Sequence, residues 1–141
     1  MRTRLVSTLT LGFAALLAVA ACGKKARGGT AAVSVTEIDL GRSLKSDLTI
    51  DDNTNTFRPS DVIYASVETK GSGPATMAAR WTFDDNQLVD EASRTISPSG
   101  NGPARTEFHI SKPDGWPEGK YHLVITLNGA TAGTKDFEVK R

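Results

Sequence analysis

Met77, Ala79, Trp81 and Phe83 fall on one face of an extended chain, while Thr76, Ala78, Arg80 and Thr82 fall on the other. A helix would scatter these residues around its surface. A strand sends every second side chain to the same side, so the segment reads as a strand with one apolar face. The same period sets Tyr121, Leu123, Ile125 and Leu127 against His122, Val124 and Thr126, and Ile63, Ala65 and Val67 against Tyr64 and Glu68. Faces of this kind must be covered by another sheet, and burying one Leu or Ile side chain contributes roughly 1.5–3 kcal/mol. Three such segments already specify a core.

Between them lie clusters of Gly, Pro, Asn and Asp, with 13 glycines in 141 residues. Short β-branched runs separated by turn residues at this spacing are the pattern of an all-β sandwich. The strands expected are Val33 to Leu40, Asp61 to Thr69, Thr76 to Phe83, Gln87 to Ile96, Ala104 to Ile110, Lys120 to Leu127 and Thr131 to Lys140. A short piece around Leu48 to Ile50 is expected to extend the first. These seven strands would form one domain over residues 33–141, a size suited to a single core.

Asn128-Gly129 is a strong hairpin signal, but a plain two-residue loop pairs Leu127 with Ala130 and hence Tyr121 with Asp136. That register would turn Phe137 and Val139 away from the core. One additional residue is therefore expected, either in a three-residue loop or as a bulge near Gly133, which sets Phe137 opposite Tyr121.

Val67, Trp81 and Tyr121-x-Leu123 follow the order and approximate spacing of the Cys, Trp and Tyr-x-Cys core pattern of immunoglobulin-like domains, with aliphatics in place of both cysteines. Glu118-Gly119-Lys120-Tyr121 is similar to the Gly-x-Tyr entry to a late strand in bacterial modules of this type. The resemblance covers most of Asp61 to Lys140. It implies an immunoglobulin-like sandwich and no particular activity, because that fold carries many unrelated functions.

The first residues have a different character. Arg2 and Arg4 precede an apolar stretch, Leu9 to Ala18, that is shorter than the roughly 20 residues needed to span a bilayer, so residues 1–21 read as a signal peptide. Val19-Ala20-Ala21-Cys22 resembles a lipobox, the site at which a bacterial lipoprotein is cleaved before its cysteine. That resemblance implies a diacylglyceryl thioether on Cys22 and an acyl group on its amine, together enough to hold the chain in a membrane where a single acyl chain would not. The alternative is ordinary cleavage after Ala20, since Ala18-Val19-Ala20 also fits the small-x-small rule. Gly23 stands where an Asp would commonly retain a Gram-negative lipoprotein in the inner membrane, which implies the outer membrane. Residues 22–32 read as the lipidated cysteine and a flexible tether, about ten residues reaching on the order of 18 Å. Its Lys24, Lys25 and Arg27 are placed either to touch anionic head groups or simply to be solvated.

Charge and composition narrow the function. A formal charge of +1, with no basic stripe in the domain, argues against nucleic acid. The single cysteine excludes an internal disulfide. No Gly-x-Ser-x-Gly elbow and no phosphate-cradling glycine pattern occurs, so no catalytic residue or cofactor is assigned, and Gly71-Ser72-Gly73-Pro74 reads as a loop. His109 and His122 would face each other if their strands paired, yet two imidazoles lack the further ligands of a stable metal site. The immunoglobulin resemblance also places those strands in different sheets. Asp51, Asn53 and Asn55 have the alternate oxygen spacing that opens a calcium loop, but Thr56 replaces the turn glycine and Val62 the bidentate Glu. An Asx-rich turn is the simpler reading, as it is for Asp84-Asp85-Asn86.

Trp116, in Pro113-Asp114-Gly115-Trp116-Pro117-Glu118-Gly119, is either an exposed anchor for a partner or sugar, or a plug over the end of the sandwich. The plug is favoured because an exposed indole leaves a large apolar area wet. The expectation is thus a lipid-anchored, non-catalytic interaction or accessory module for another envelope protein. Its contacts would be the Trp116 loop and a free sheet edge, Val33 to Leu40 or Thr131 to Lys140. The second expectation is a module binding carbohydrate, cell-wall polymer or Ca²⁺ through its loops.

Overall fold

A computed structural model describes residues 31–141, and the regular structure among them is all strand. The strands are β1 (Ser34–Gly41), β2 (Thr56–Phe57), β3 (Ile63–Lys70), β4 (Ala75–Phe83), β5 (Gln87–Ile96), β6 (Ala104–Ile110), β7 (Gly119–Leu127) and β8 (Ala130–Val139). The leader, Cys22 and the tether as far as Thr30 lie outside the described residues.

They form a three-stranded sheet in the order β1-β3-β6 and a five-stranded sheet in the order β2-β8-β7-β4-β5. All pairings are antiparallel except β2 on β8, where Thr56 and Phe57 run parallel to Glu138 and Val139. The apolar faces read from the sequence meet between the sheets. Ile63, Ala65 and Val67 from one sheet, with Met77, Ala79, Trp81, Tyr121, Leu123 and Ile125 from the other, are at most 1% exposed. Val67 and Leu123, standing where the pattern has its two cysteines, lie in opposite sheets with Trp81 in the same core. The architecture is an immunoglobulin-like β-sandwich.

The last hairpin contains the extra residue. Asn128 and Gly129 form the loop with φ of +49° and +83°, the paired positive values of a type I′ turn. Thr126 pairs with Thr131 and Ile125 with Gly133, so Ala132 is the bulge, and Phe137 comes to lie opposite Tyr121. Of the two expected solutions the chain uses the bulge. Gly133 leaves room for the opposite sheet, since a Cβ there would come within 2.6 Å of Ile38 Cδ1.

The seven expected strands are present, and three details differ. Among the described residues Thr56–Phe57 adds an eighth, β2, which places Phe57 in the core. The Leu48 to Ile50 piece does not extend β1: Leu48 has φ of +65°, and the segment folds back through isolated Leu44–Ile50 and Gly41–Asn53 bridges. Its Leu48 carbonyl accepts a 2.6 Å bond from Ser66 Oγ, which buries Ser66 on the nominally outer face of β3. Thr82 is likewise 3% exposed although its face was expected to be open, and the register of β4 on β5 slips beside it.

Candidate functional site

Two features distinguish one side of the sandwich: the Trp116 loop at an end, and β5 along an edge. The loop joins β6 to β7. Gly115, at φ +84°, donates its N–H to the Lys112 carbonyl and closes a turn that aims the next residue inward. Trp116 is 6% exposed; its backbone N–H donates to Pro59 O at 2.7 Å and its Nε1 to Asp61 O at 2.9 Å. The indole stands edge-on to Tyr121, with ring centroids 6.3 Å apart. Trp116 is the plug; its indole is not an exposed anchor, and it meets the surface only where it lines the adjoining cleft.

Its acceptors are themselves fixed. Asp61 Oδ2 accepts from Arg58 N–H at 2.8 Å and from Arg42 Nε at 2.9 Å. Arg42 also reaches Asp52 and the Thr56 carbonyl, and lies over the Phe57 ring. Burial alone would raise the Asp61 carboxyl, but these donors outweigh it and hold its pKa below the usual carboxylate value.

Beside the plug, Phe83, Val89, Tyr121 and the Trp116 edge floor an open cleft of 310 Å³, rimmed by Gln87, Asp90, Ser111 and Lys112. Tyr121 is sealed beneath it. Its hydroxyl donates to Pro117 O at 2.7 Å, and burial, followed by the nearby Asp84 charge, pushes its pKa up to about 12.

β5 forms the outer wall. It pairs with β4 on one side, and eight of its ten residues are exposed; β6 of the small sheet reaches it at Arg94, which bonds Glu107 and lies over Phe108. Leu88 is half exposed. The pattern in Gln87 to Ile96 predicted a strand but gave no sign that it would be uncovered on both faces. Of the two edges expected from sequence, β1 is an edge of its sheet, whereas β8 is covered by β2 at Glu138 and Val139.

The other singled-out residues are dispersed. His109 and His122 lie in different sheets, each beside its own carboxylate, Glu107 at 3.0 Å and Asp136 at 2.6 Å. In the Asp51 to Asn55 turn, Asn53 donates its amide to Asp39, Asp52 pairs with Arg42, and the Asn55 carbonyl accepts from Glu138 N–H. These groups serve separate partners. Ser72 sits in a loop bridged to Ser99. On the outer face of the small sheet Arg105 gathers Glu37, Asp39 and Glu68 within 3.4 Å, so one guanidinium ties the three carboxylates together.

No protein-family model matches the chain, and no curated protein matches it. Solved structures do. An immunoglobulin-like protein from Pseudomonas aeruginosa aligns with 80% of this chain and 100% of its own, with 17% identity and a TM-score of 0.52. An alkylpurine DNA glycosylase from Pseudomonas fluorescens aligns with 77% of this chain at 12% identity and a TM-score of 0.50, and a β-glucosidase from Listeria innocua with 74% at 10% and 0.50. The matches span only 30% and 16% of those two longer proteins. At such identities the similarity is one of fold alone, and it runs the full length of a bacterial immunoglobulin-like protein.

Proposed function

We propose that the chain is an envelope lipoprotein, held in the outer membrane through lipid on Cys22, whose sandwich acts as a non-catalytic interaction module. The observation that carries the interaction reading is β5, a ten-residue edge strand exposed on both faces with Leu88 open to solvent. Unpaired strand edges bind other strands through main-chain hydrogen bonds. The position of the tether supports the arrangement. Ser72 N–H donates to Ala31 O, so the chain enters the sandwich beside the Gly71 turn. Trp116 and its cleft lie by Asp61, at the other end of β3, roughly 26 Å away at 3.3 Å per strand residue. An anchor before Ala31 is therefore attached at the end of the sandwich remote from the cleft.

Metabolic labelling with radioactive fatty acid tests the anchor. The wild-type chain should be labelled and sediment with membranes, and Cys22→Ala should be unlabelled and soluble; an unlabelled wild type overturns it. Crosslinking from a probe placed at Ser93 on β5 tests the module, with a discrete adduct expected in native membranes and none from a probe at Thr134.

The cleft supports a second reading, a saccharide or cell-wall glycan seated on the Phe83 and Val89 floor with Gln87, Asp90 and Lys112 as hydrogen-bonding rim. Glycan titration monitored by tryptophan fluorescence checks it, because Trp116 forms one wall.

A further inference from the structure

We infer that β5 pairs antiparallel with β5 of a second copy of this chain, about a two-fold axis at Ala92. This names the partner for the edge strand and rests on the interaction reading given above.

A two-fold interface must be self-complementary: where one residue faces another, the reverse pair also forms. With the axis at Ala92, Asp90 faces Arg94 twice and Glu91 faces Ser93 twice. Counted from the same axis, Val89 faces Thr95 and the apolar Leu88 faces Ile96. The neighbouring two-fold registers lose this match. An axis at Glu91 sets that carboxylate against its own copy, and one at Ser93 sets Asp90 against Ile96 and Ala92 against Arg94. Like charges directly opposite oppose pairing, and opposite charges favour it. The charges and the irregular register of β5 are devices by which edge strands reject arbitrary partners. Here the same charges match a strand of identical sequence running the other way.

The geometry leaves room for it. Asp90, Ala92 and Arg94 pair with Trp81, Ala79 and Met77 of β4, so they share the inner face of the sheet, yet all three are exposed. Two copies would join their five-stranded sheets edge to edge, with the small sheets set apart on the same side. Asp90 uses Oδ1 on Glu91 N–H, and Arg94 uses Nε and Nη2 on Glu107. Asp90 Oδ2 and Arg94 Nη1 have no partner among the described residues and are available across the axis. The two N-terminal ends then point in opposite directions along the strands, which both anchors can satisfy in one bilayer when the strands lie along its plane.

Ala92→Cys in the full chain reads the axis directly. Paired Cα atoms of antiparallel strands are about 4.5–5.5 Å apart, inside the range a disulfide bridges. Mild oxidation of native membranes should give a covalent dimer with Ala92→Cys, and none with Thr134→Cys or with the wild type. Sedimentation of the detergent-extracted chain supplies the second arm. Asp90→Arg should weaken dimerisation by roughly tenfold, and Asp90→Arg combined with Arg94→Asp should restore it. Thermal melts of each variant separate this from misfolding, since Arg94→Asp also loses Glu107, whereas Asp90→Arg does not. Association within shared micelles would ignore these charges.

Absence of the covalent dimer from the Ala92→Cys chain, or failure of the swapped pair to recover, overturns self-pairing. If the Ser93 probe then still traps a different protein, the interaction reading stands without self-pairing. If it traps nothing, both fall.

Discussion

The Tyr121 hydroxyl donates a 2.7 Å hydrogen bond to the carbonyl of Pro117, four residues upstream, and so ties the start of β7 to the loop that carries Trp116. This is the tyrosine corner of immunoglobulin-like domains, formed where Tyr stands two residues before the position of the second cysteine.

Tyr121→Phe keeps the ring, which stacks on Phe137 at 5.2 Å, but strands the Pro117 carbonyl. Chemical denaturation should show a loss of about 1–2 kcal/mol. The phenol's pKa is raised from 10.0 to about 12 in the folded state, so its contribution is fully present below pH 10.0 and is lost as pH rises through 12. The wild type should therefore lose stability over that window more steeply than Tyr121→Phe.

Trp116→Ala should cost about 3–5 kcal/mol, the range for truncating a buried large aromatic. An exposed anchor would cost little. Emission from the folded protein should be that of buried indoles, since Trp81 and Trp116 are 1% and 6% exposed, and should shift to the red when the domain unfolds.

Deleting Ala132 removes the bulge and shifts the pairing of β8 by one residue beyond it. Phe137 and Val139 would turn to solvent, and cooperative unfolding should be lost or weakened by more than about 3 kcal/mol. Gly129→Ala, at φ +83°, tests the turn alone and should cost about 1 kcal/mol.

Asp61 carries the acid dependence of the plug. Its folded-state pKa lies below the ordinary 3.8, so its stabilisation is present above that value and disappears as pH falls through the folded one. Asp61→Asn should lower the melting temperature at pH 7 and flatten the decline of stability below pH 3.8. A parallel decline in wild type and variant would place the acid sensitivity elsewhere.

The core strands were legible because their side chains obey one rule over seven or more residues, and the position of Phe137 forced an extra residue into the final hairpin. β2 was not legible. Two residues have no period, and Phe57 stands alone between Thr56 and Arg58, its burial decided by β8 and by Arg42 above its ring. The polar burial of Ser66 and Thr82 was equally hidden: the Leu48 carbonyl takes up the Ser66 hydroxyl, and Thr82 sits beside a slip in register that no periodicity announces. Trp116 could be read as a plug from the cost of wet apolar surface. The open edge at β5 could not, because which strand is left uncovered depends on how many strands the opposite sheet contains.

The chain begins its fold by visiting both sheets, β1 in the smaller and β2 in the larger, before β3 starts. Tension arriving along Ala31 thus pulls β1 lengthwise against β3, loading their hydrogen bonds together as a shear. Behind it, the link from Gly41 to Thr56 transmits what remains to a second clamp on β8. A sandwich pulled from this end resists far better than one whose first strand could be peeled off a bond at a time.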